Sequence, residues 1–145
     1  MRLFSGLIIL VILFACGAEE EVQSEFKHPD EIYNPNGDSE LSIVMRNLHY
    51  QADKIRMSLE KGEEADYSEF RKLSDLLTTA VPTDSNVLDE KFYLMSGLLQ
   101  KQVTALVNSE NPSIEFDGLV SACVACHRNT CPGPIGKINK LRMKS

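Results

Sequence analysis

Residues 113–131 read SIEFDGLVSACVACHRNTC, and they are the most informative stretch of the chain for its architecture. Their apolar side chains recur at the three- and four-residue spacing of one helical face. The predicted stripe consists of Ile114, Phe116, Leu119, Val120, Cys123 and the pair Cys126-His127. Ser113 is suited to begin the helix, and Pro132 and Pro134 end it. The stretch therefore predicts a helix that carries two cysteines and a histidine on its apolar face.

Three further helices are predicted upstream from the same periodicity. They run from about Ser39 to Lys61, from Asp66 to Ala80 and from Ser85 to Asn108. Their apolar positions are Leu41, Val44, Met45, Leu48, Ala52, Ile55 and Leu59 in the first helix, Phe70, Leu73, Leu76, Leu77 and Ala80 in the second, and Leu88, Phe92, Met95, Leu98, Leu99, Val103 and Leu106 in the third. The sequence has no concentrated runs of alternating β-branched residues, so strands are not expected. We predict an all-α protein, an antiparallel four-helix bundle over residues 38–131.

The length and the charge of the chain restrict its class. With 145 residues, 43% of them hydrophobic, it has room for one globular domain. Its 21 acidic residues exceed its 15 basic ones and give a net charge of −6. A nucleic-acid partner is therefore not expected, because phosphate binding needs a basic face. The sequence contains no Ser/His/Asp set, phosphate-binding glycine loop or His-Glu-x-x-His motif, so we do not expect an enzyme.

The N-terminus has the features of an export signal. Arg2 precedes an apolar run over residues 7–14, which is shorter than the roughly 20 residues of a membrane-spanning helix. The run ends at Cys16 in a sequence that resembles a bacterial lipobox. We therefore expect residues 1–15 to be a lipoprotein signal peptide and Cys16 to be lipidated; a plain signal peptide or an uncleaved anchor with an incidental cysteine is the alternative. The expected location is the bacterial envelope, with the lipid anchor in the outer membrane facing the periplasm or the cell surface.

The segments that flank the bundle are expected to be irregular. Residues 16–37 hold no helical or strand period and include the acidic run at residues 19–21. We expect them to form a flexible tether between the anchor and the bundle. Residues 132–145 carry several cations after the two prolines. We expect them to form a basic C-terminal tail, either docked on the acidic bundle or solvated.

Residues 123–127 read CVACH, a C-x-x-C-H sequence, which is the attachment signature of c-type haem. The thiols of Cys123 and Cys126 are three residues apart, so each can bond one vinyl group of a single covalently attached haem. His127 follows Cys123 by four residues and can bind the iron from the same helical face. The alternatives are a redox dithiol or disulfide, a zinc site that also uses Cys131, and a chance match in a buried stripe. The export signal favours haem, because covalent haem attachment takes place outside the bacterial cytoplasm.

A four-helix bundle with C-x-x-C-H near the end of its last helix resembles the cytochrome c′ family, in particular its low-spin, six-coordinate members. In those relatives a methionine of the first helix binds the iron opposite the histidine, and a Lys-Gly-Glu turn follows later. This chain has Val-Met-Arg at residues 44–46 and Lys-Gly-Glu at residues 61–63. The resemblance therefore implies Met45 as the second axial ligand, with His49 as its rival. Taken without the resemblance, a methionine on an apolar helical face is more often a core side chain.

The chain also departs from the family pattern. Leu41 stands where many members carry an arginine close to a haem propionate, so the propionates would pair elsewhere, at Arg128 or Lys137. The fourth helix usually continues further beyond the histidine than Pro132 allows here. Cys131 has no counterpart in the motif, and the sequence assigns it no role.

Together these observations predict a membrane-tethered monohaem c-type cytochrome that exchanges single electrons with a redox partner protein. Its iron would be bound by His127 and Met45. If Met45 only packs beside the haem, the iron is five-coordinate and the protein binds nitric oxide or carbon monoxide instead. A structural lipoprotein without haem is the third interpretation. The family resemblance is also compatible with an antiparallel homodimer.

Overall fold

A computed structural model of the protein describes residues 38–144. Within this range the chain forms five α-helices, namely α1 (Glu40–Glu60), α2 (Ser68–Asp75), α3 (Glu90–Val107), α4 (Pro112–Thr130) and α5 (Ile135–Ile138). Short 3₁₀ turns occupy Leu76–Thr78, Ser85–Val87 and Asn139–Leu141. Residues 38–144 contain no strand, so the prediction of an all-α fold is confirmed. No helix in this range is both long and apolar enough to cross a bilayer.

The ends of α1 follow from its flanking residues. The Ser39 hydroxyl accepts a hydrogen bond from the Ser42 N–H at 3.3 Å and caps the first turn. At the other end Gly62 has a φ of 70°, a left-handed conformation that glycine adopts without steric cost. The Glu63 N–H then donates to the Ser58 carbonyl at 2.9 Å and closes the helix.

Helix α2 is shorter than the predicted range from Asp66 to Ala80. The Asp66 carboxylate accepts from the Ser68 N–H at 2.8 Å and forms a turn before the helix, which begins at Ser68. After Asp75 the chain tightens into the 3₁₀ turn at Leu76–Thr78. The chain after this turn is tied to α1 at Val81, because the Val81 carbonyl accepts from the Leu41 N–H at 3.0 Å.

Helix α3 begins five residues later than predicted. The Asp89 carboxylate accepts from the Phe92 N–H at 2.8 Å and caps the helix at Glu90. Ser85, the predicted start, belongs instead to a separate 3₁₀ turn, in which the Asp84 carboxylate accepts from the Asn86 N–H at 2.9 Å. Asp84 therefore begins the 3₁₀ turn and Asp89 begins α3, whereas the sequence pattern indicated a single helix.

The four longer helices enclose one core. Helix α1 packs on α2 and α4, and α3 packs on α2 and α4. The most deeply buried large side chains come from α3 and α4, namely Leu106, Phe116, Leu119 and Val120, each with at most 1% of its surface exposed. The contact between α3 and α4 is close at Gly118, where a Cβ atom would lie 2.7 Å from Nε2 of Gln102. That amide also donates to the Glu115 carboxylate at 2.8 Å, which joins the two helices by a polar contact.

Three residues of the predicted apolar stripes are exposed instead. Ile114 is 71% exposed because it lies about 160° around α4 from Phe116, at roughly 100° per residue. Leu76, in the 3₁₀ turn after α2, is 46% exposed, and Leu98 of α3 is 45% exposed. The predicted stripes were therefore wider than the faces that the helices bury.

The C-terminal segment contributes to the core through apolar side chains. Ile138 and Leu141 are buried, with 6% and 4% of their surfaces exposed. The Met143 N–H donates to the Asp117 carboxylate of α4 at 3.0 Å. The charged residues Lys137 and Lys140 lie on the exposed side of this segment. Helix α5 and the turn after it therefore form an additional wall beside α1 and α4.

We expect Phe116→Ala to lower the free energy of unfolding by about 3–5 kcal/mol, because Phe116 is fully buried and its removal leaves a cavity. Ile114→Ala on the same helix is the matched control and should change stability by less than about 0.5 kcal/mol, since Ile114 is mostly exposed. Urea unfolding followed by circular dichroism measures both. Equal losses for the two variants would contradict this description of α4.

Candidate functional site

The C-x-x-C-H residues occupy the last turns of α4. His127 is buried, with 8% of its surface exposed, and it continues the face that holds Val120 and Val124. Cys123 and Cys126 are half-buried, and at about 100° per residue both lie on the same side of this face. The helical register therefore directs both thiols and the imidazole towards the interior of the protein, as the sequence predicted.

A cleft beside these residues, here called the first cleft, is bounded by α1, α3, α4 and the C-terminal segment. It holds about 630 Å³ of space between protein atoms, part of it open to solvent. The sulfur and imidazole side chains on its walls are Met45, His49, Met95, Cys123, Cys126 and His127. Its other walls are mostly apolar and include Phe70, Leu77, Phe92 and Leu141.

A second cleft adjoins the first. It holds about 990 Å³ of partly open space and is bordered by the start of α1, the Pro82–Asp84 loop and the end of α4. Met45, Phe92, Cys126 and His127 line both clefts. These four side chains therefore lie at the junction of the two spaces, and Met45 faces the same interior region as the end of the C-x-x-C-H motif.

The imidazole of His127 is held through one of its nitrogens. Nδ1 lies 3.0 Å from the carbonyl oxygen of Cys131 and 3.2 Å from its Sγ. A carbonyl oxygen can only accept a hydrogen bond, so Nδ1 is the donor and carries the proton. The neutral ring then has its lone pair on Nε2, the nitrogen that is left to bind a metal.

The three cysteines of the described region are free thiols. The sulfur of Cys123 is surrounded by protein, and this burial, with a smaller effect of the neighbouring Cys126 charge, raises its pKa to about 12. Burial also raises the pKa of the Cys126 thiol, and the charge of Cys131 adds to that rise. Both thiols are therefore neutral near pH 7, whereas a redox dithiol depends on a thiolate.

The zinc alternative also lacks geometric support. Cys123, Cys126, His127 and Cys131 were the four candidate ligands. Within residues 38–144, no group of three or more His, Cys, Asp and Glu side chains is arranged to hold a metal ion. These residues follow one another along a continuous helix and its end, so they do not converge on a tetrahedron.

Met45 and its rival differ in their surroundings. Met45 is half-buried on α1 and lines both clefts. His49 lines only the first cleft, and its Nε2 lies 3.4 Å from the Lys137 carbonyl of the C-terminal segment. Met95 of α3 provides a second thioether on the wall of the first cleft. The sequence placed Met95 on an apolar stripe, and only its position in the fold shows that it faces the same space as His127.

The cations expected beside a haem propionate are located elsewhere. Arg128 and Lys137 are both exposed, and neither lines a cleft. Arg46 lines the second cleft instead, where its guanidinium is paired with the Asp38 carboxylate at 2.5 Å. Leu41, at the position of the family's arginine, is buried in the core. Arg46 is the one Lys or Arg side chain among the residues that line the two clefts.

Four of the five predicted site residues, Cys123, Cys126, His127 and Met45, are brought together around the first cleft. The fifth, Cys16, lies outside the described residues, as do the predicted signal peptide and the tether. No family model, curated protein or solved structure matches the chain.

Proposed function

We propose that the protein is a membrane-tethered monohaem c-type cytochrome that transfers single electrons, built as a four-helix bundle of the cytochrome c′ type. The observation that carries this proposal is that Met45 of α1 and the C-x-x-C-H residues of α4 line one common cleft. These residues are about 80 positions apart in sequence, and the motif alone does not require a methionine to face it. Their meeting is what a six-coordinate haem site needs.

The arrangement of the helices supports the bundle. Each of the four longer helices contacts two others of the set, and only Asn108–Asn111 separates α3 from α4. Short connections make successive helices antiparallel neighbours. An antiparallel four-helix bundle, with haem beside the end of the fourth helix, therefore accounts for the contacts and for the cleft.

The residues present fit a covalently attached haem. Cys123 and Cys126 would provide the two thiols for thioether bonds to the vinyl groups, and His127 would provide Nε2 to the iron. Met45 would provide a thioether sulfur to the same iron, and a methionine–histidine pair is a known ligand set of c-type cytochromes. The apolar walls, with Phe70 and Phe92 among them, suit the flat and largely apolar tetrapyrrole.

The haem, when bound, supplies a one-electron couple of its iron. What the chain contributes is a pair of ligands held by separate helices, since Met45 belongs to α1 and His127 belongs to α4. Packing of α1 on α4 holds both side chains in place, which limits structural change between oxidation states. The mostly apolar walls of the first cleft would limit the access of polar ligands to the iron and thereby favour electron exchange over ligand exchange. A redox partner protein is the expected electron donor or acceptor.

We expect Met45→Leu to convert the iron from low-spin to high-spin, because leucine fills a similar volume but has no sulfur. The loss of stability should stay below about 1.5 kcal/mol. The reduction potential should fall, and the variant should gain affinity for carbon monoxide. Absorption spectra of the oxidised and reduced protein, with and without carbon monoxide, measure these changes.

Three control variants make this experiment specific. Met57→Leu changes a methionine of α1 that is 46% exposed, and it should leave the spectrum unchanged. Met95→Leu and His49→Gln alter the other two side chains of the first cleft that can bind iron, and both should stay low-spin. A spin change in either of these variants but not in Met45→Leu would transfer the axial role to that residue. A wild-type protein that is already high-spin would favour the gas-binding alternative.

We further propose that the mature protein is anchored by a lipid on Cys16, on the evidence of the lipobox-like sequence alone. Cys16→Ser should move the protein from the membrane fraction to the soluble fraction or leave its precursor unprocessed. The haem spectrum should be unchanged, because Cys16 precedes the cytochrome domain in the sequence. Fractionation of cells that express each form measures this. A Cys16→Ser protein that is still processed and membrane-bound would contradict the anchor.

A further inference from the structure

At the end of α4, the first residue after the helix contacts His127. Cys131 follows the last helical residue, Thr130, with φ −151° and ψ 92°. Its N–H donates to the His127 carbonyl at 3.1 Å. Its own carbonyl accepts from Nδ1 of the His127 ring at 3.0 Å, and its Sγ lies 3.2 Å from the same nitrogen. The main chain and the side chain of Cys131 thus both contact His127.

Pro132 explains why the carbonyl of Cys131 turns towards the ring. The residue before a proline is disfavoured in the helical region and takes an extended conformation. In a continuing helix the Cys131 carbonyl would point along the helix axis. In the extended conformation it leaves the helix axis and reaches the side chain one turn earlier.

We propose that the Cys131-Pro132 turn is a positioning device for the axial ligand, which holds His127 as its Nδ1–H tautomer and presents Nε2 to the first cleft. This inference rests on the proposed haem function, and it gives a role to the third cysteine. Cys131 acts through His127, so it is a positioning residue. The carbonyl is the principal acceptor, and the sulfur is a weaker second acceptor for the same proton.

The contact has a chemical consequence for the ligand. An acceptor on Nδ1–H makes the imidazole more basic at Nε2, so it donates more strongly to a bound metal ion. Stronger donation stabilises the more highly charged ferric iron and lowers the reduction potential. Loss of the acceptors should therefore raise the potential without removing the ligand.

Four variants test this proposal in the full-length, haem-loaded protein. Pro132→Ala lets the chain continue as a helix and withdraws the carbonyl, whereas Cys131→Ala removes only the sulfur. Cys131→Ser replaces the sulfur by a hydroxyl oxygen that can also accept. Gly133→Ala is the matched control, since Gly133 is exposed and an added Cβ meets no atom within 4 Å.

Two measurements are needed, the reduction potential and the exchange rate of the His127 Nδ1 proton by NMR in the reduced protein. We expect the potential and the exchange rate to rise most in Pro132→Ala and less in Cys131→Ala. Cys131→Ser should remain near the wild type, and Gly133→Ala should equal it. Values in Pro132→Ala and Cys131→Ala that match Gly133→Ala would overturn the proposal.

The exchange rate of the Nδ1 proton separates this proposal from the haem function. A wild-type protein with a low-spin haem whose Nδ1 proton exchanges as fast as in Pro132→Ala would overturn the positioning role and leave the cytochrome proposal intact. A wild-type protein without haem would overturn the cytochrome proposal, and the axial-ligand role of the turn would fall with it.

Discussion

Burial of one face of α4 is the constraint on which the rest of the structure depends. Phe116, Leu119, Val120 and Val124 are at most 4% exposed, and they fix the rotation of the helix about its axis. At about 100° per residue, that rotation also fixes where the final turns point. The thiols of the C-x-x-C-H motif and the imidazole of His127 therefore face the interior because residues two turns earlier are packed there.

The same buried face holds a polar group, the imidazole of His127, whose hydrogen-bond partner lies nearby in the sequence. A buried imidazole needs a hydrogen-bond partner, because an unsatisfied polar group in an apolar setting is costly. The partner of His127 is the carbonyl of Cys131 at the end of its own helix. Pro132, which ends α4, thereby also turns this carbonyl towards Nδ1 of His127 and provides its hydrogen-bond partner. Nε2 of the ring is left to bind a metal ion. Structure and reactivity at this site thus depend on a single turn.

Much of this could be predicted from the sequence. The ends of α1 follow from Ser39 and Gly62, whose capping and conformational preferences act locally. Helix α4 begins at Pro112, with Asn111 before it, and not at the predicted capping residue Ser113. The C-x-x-C-H motif predicted which side chains would face the core. The start of α3 at Glu90 could not be predicted in this way. Asp84 and Asp89 can both cap a helix, and the spacing of the apolar residues does not distinguish them.

Features that depend on tertiary packing were beyond the sequence. The basic tail was expected to be either docked on the bundle or solvated, and the sequence did not decide between the two. Ile138 and Leu141 are buried, since only the folded protein shows a space for them beside α1 and α4. Met95 and Arg46 reach the clefts through the packing of α3 and the paired position of Asp38. Such placements depend on distances between helices, and no local preference encodes these.

Covalent attachment of haem is the central claim, and the mass of the unfolded protein tests it most directly. We expect the wild-type protein, purified from a host that exports and matures c-type cytochromes, to retain the mass of one haem after denaturation. Cys123→Ala and Cys126→Ala should each lose most of this covalent haem, and Cys131→Ala should retain it. A wild-type protein with the mass of the polypeptide and its lipid alone, or full haem attachment in both single variants, would contradict the claim.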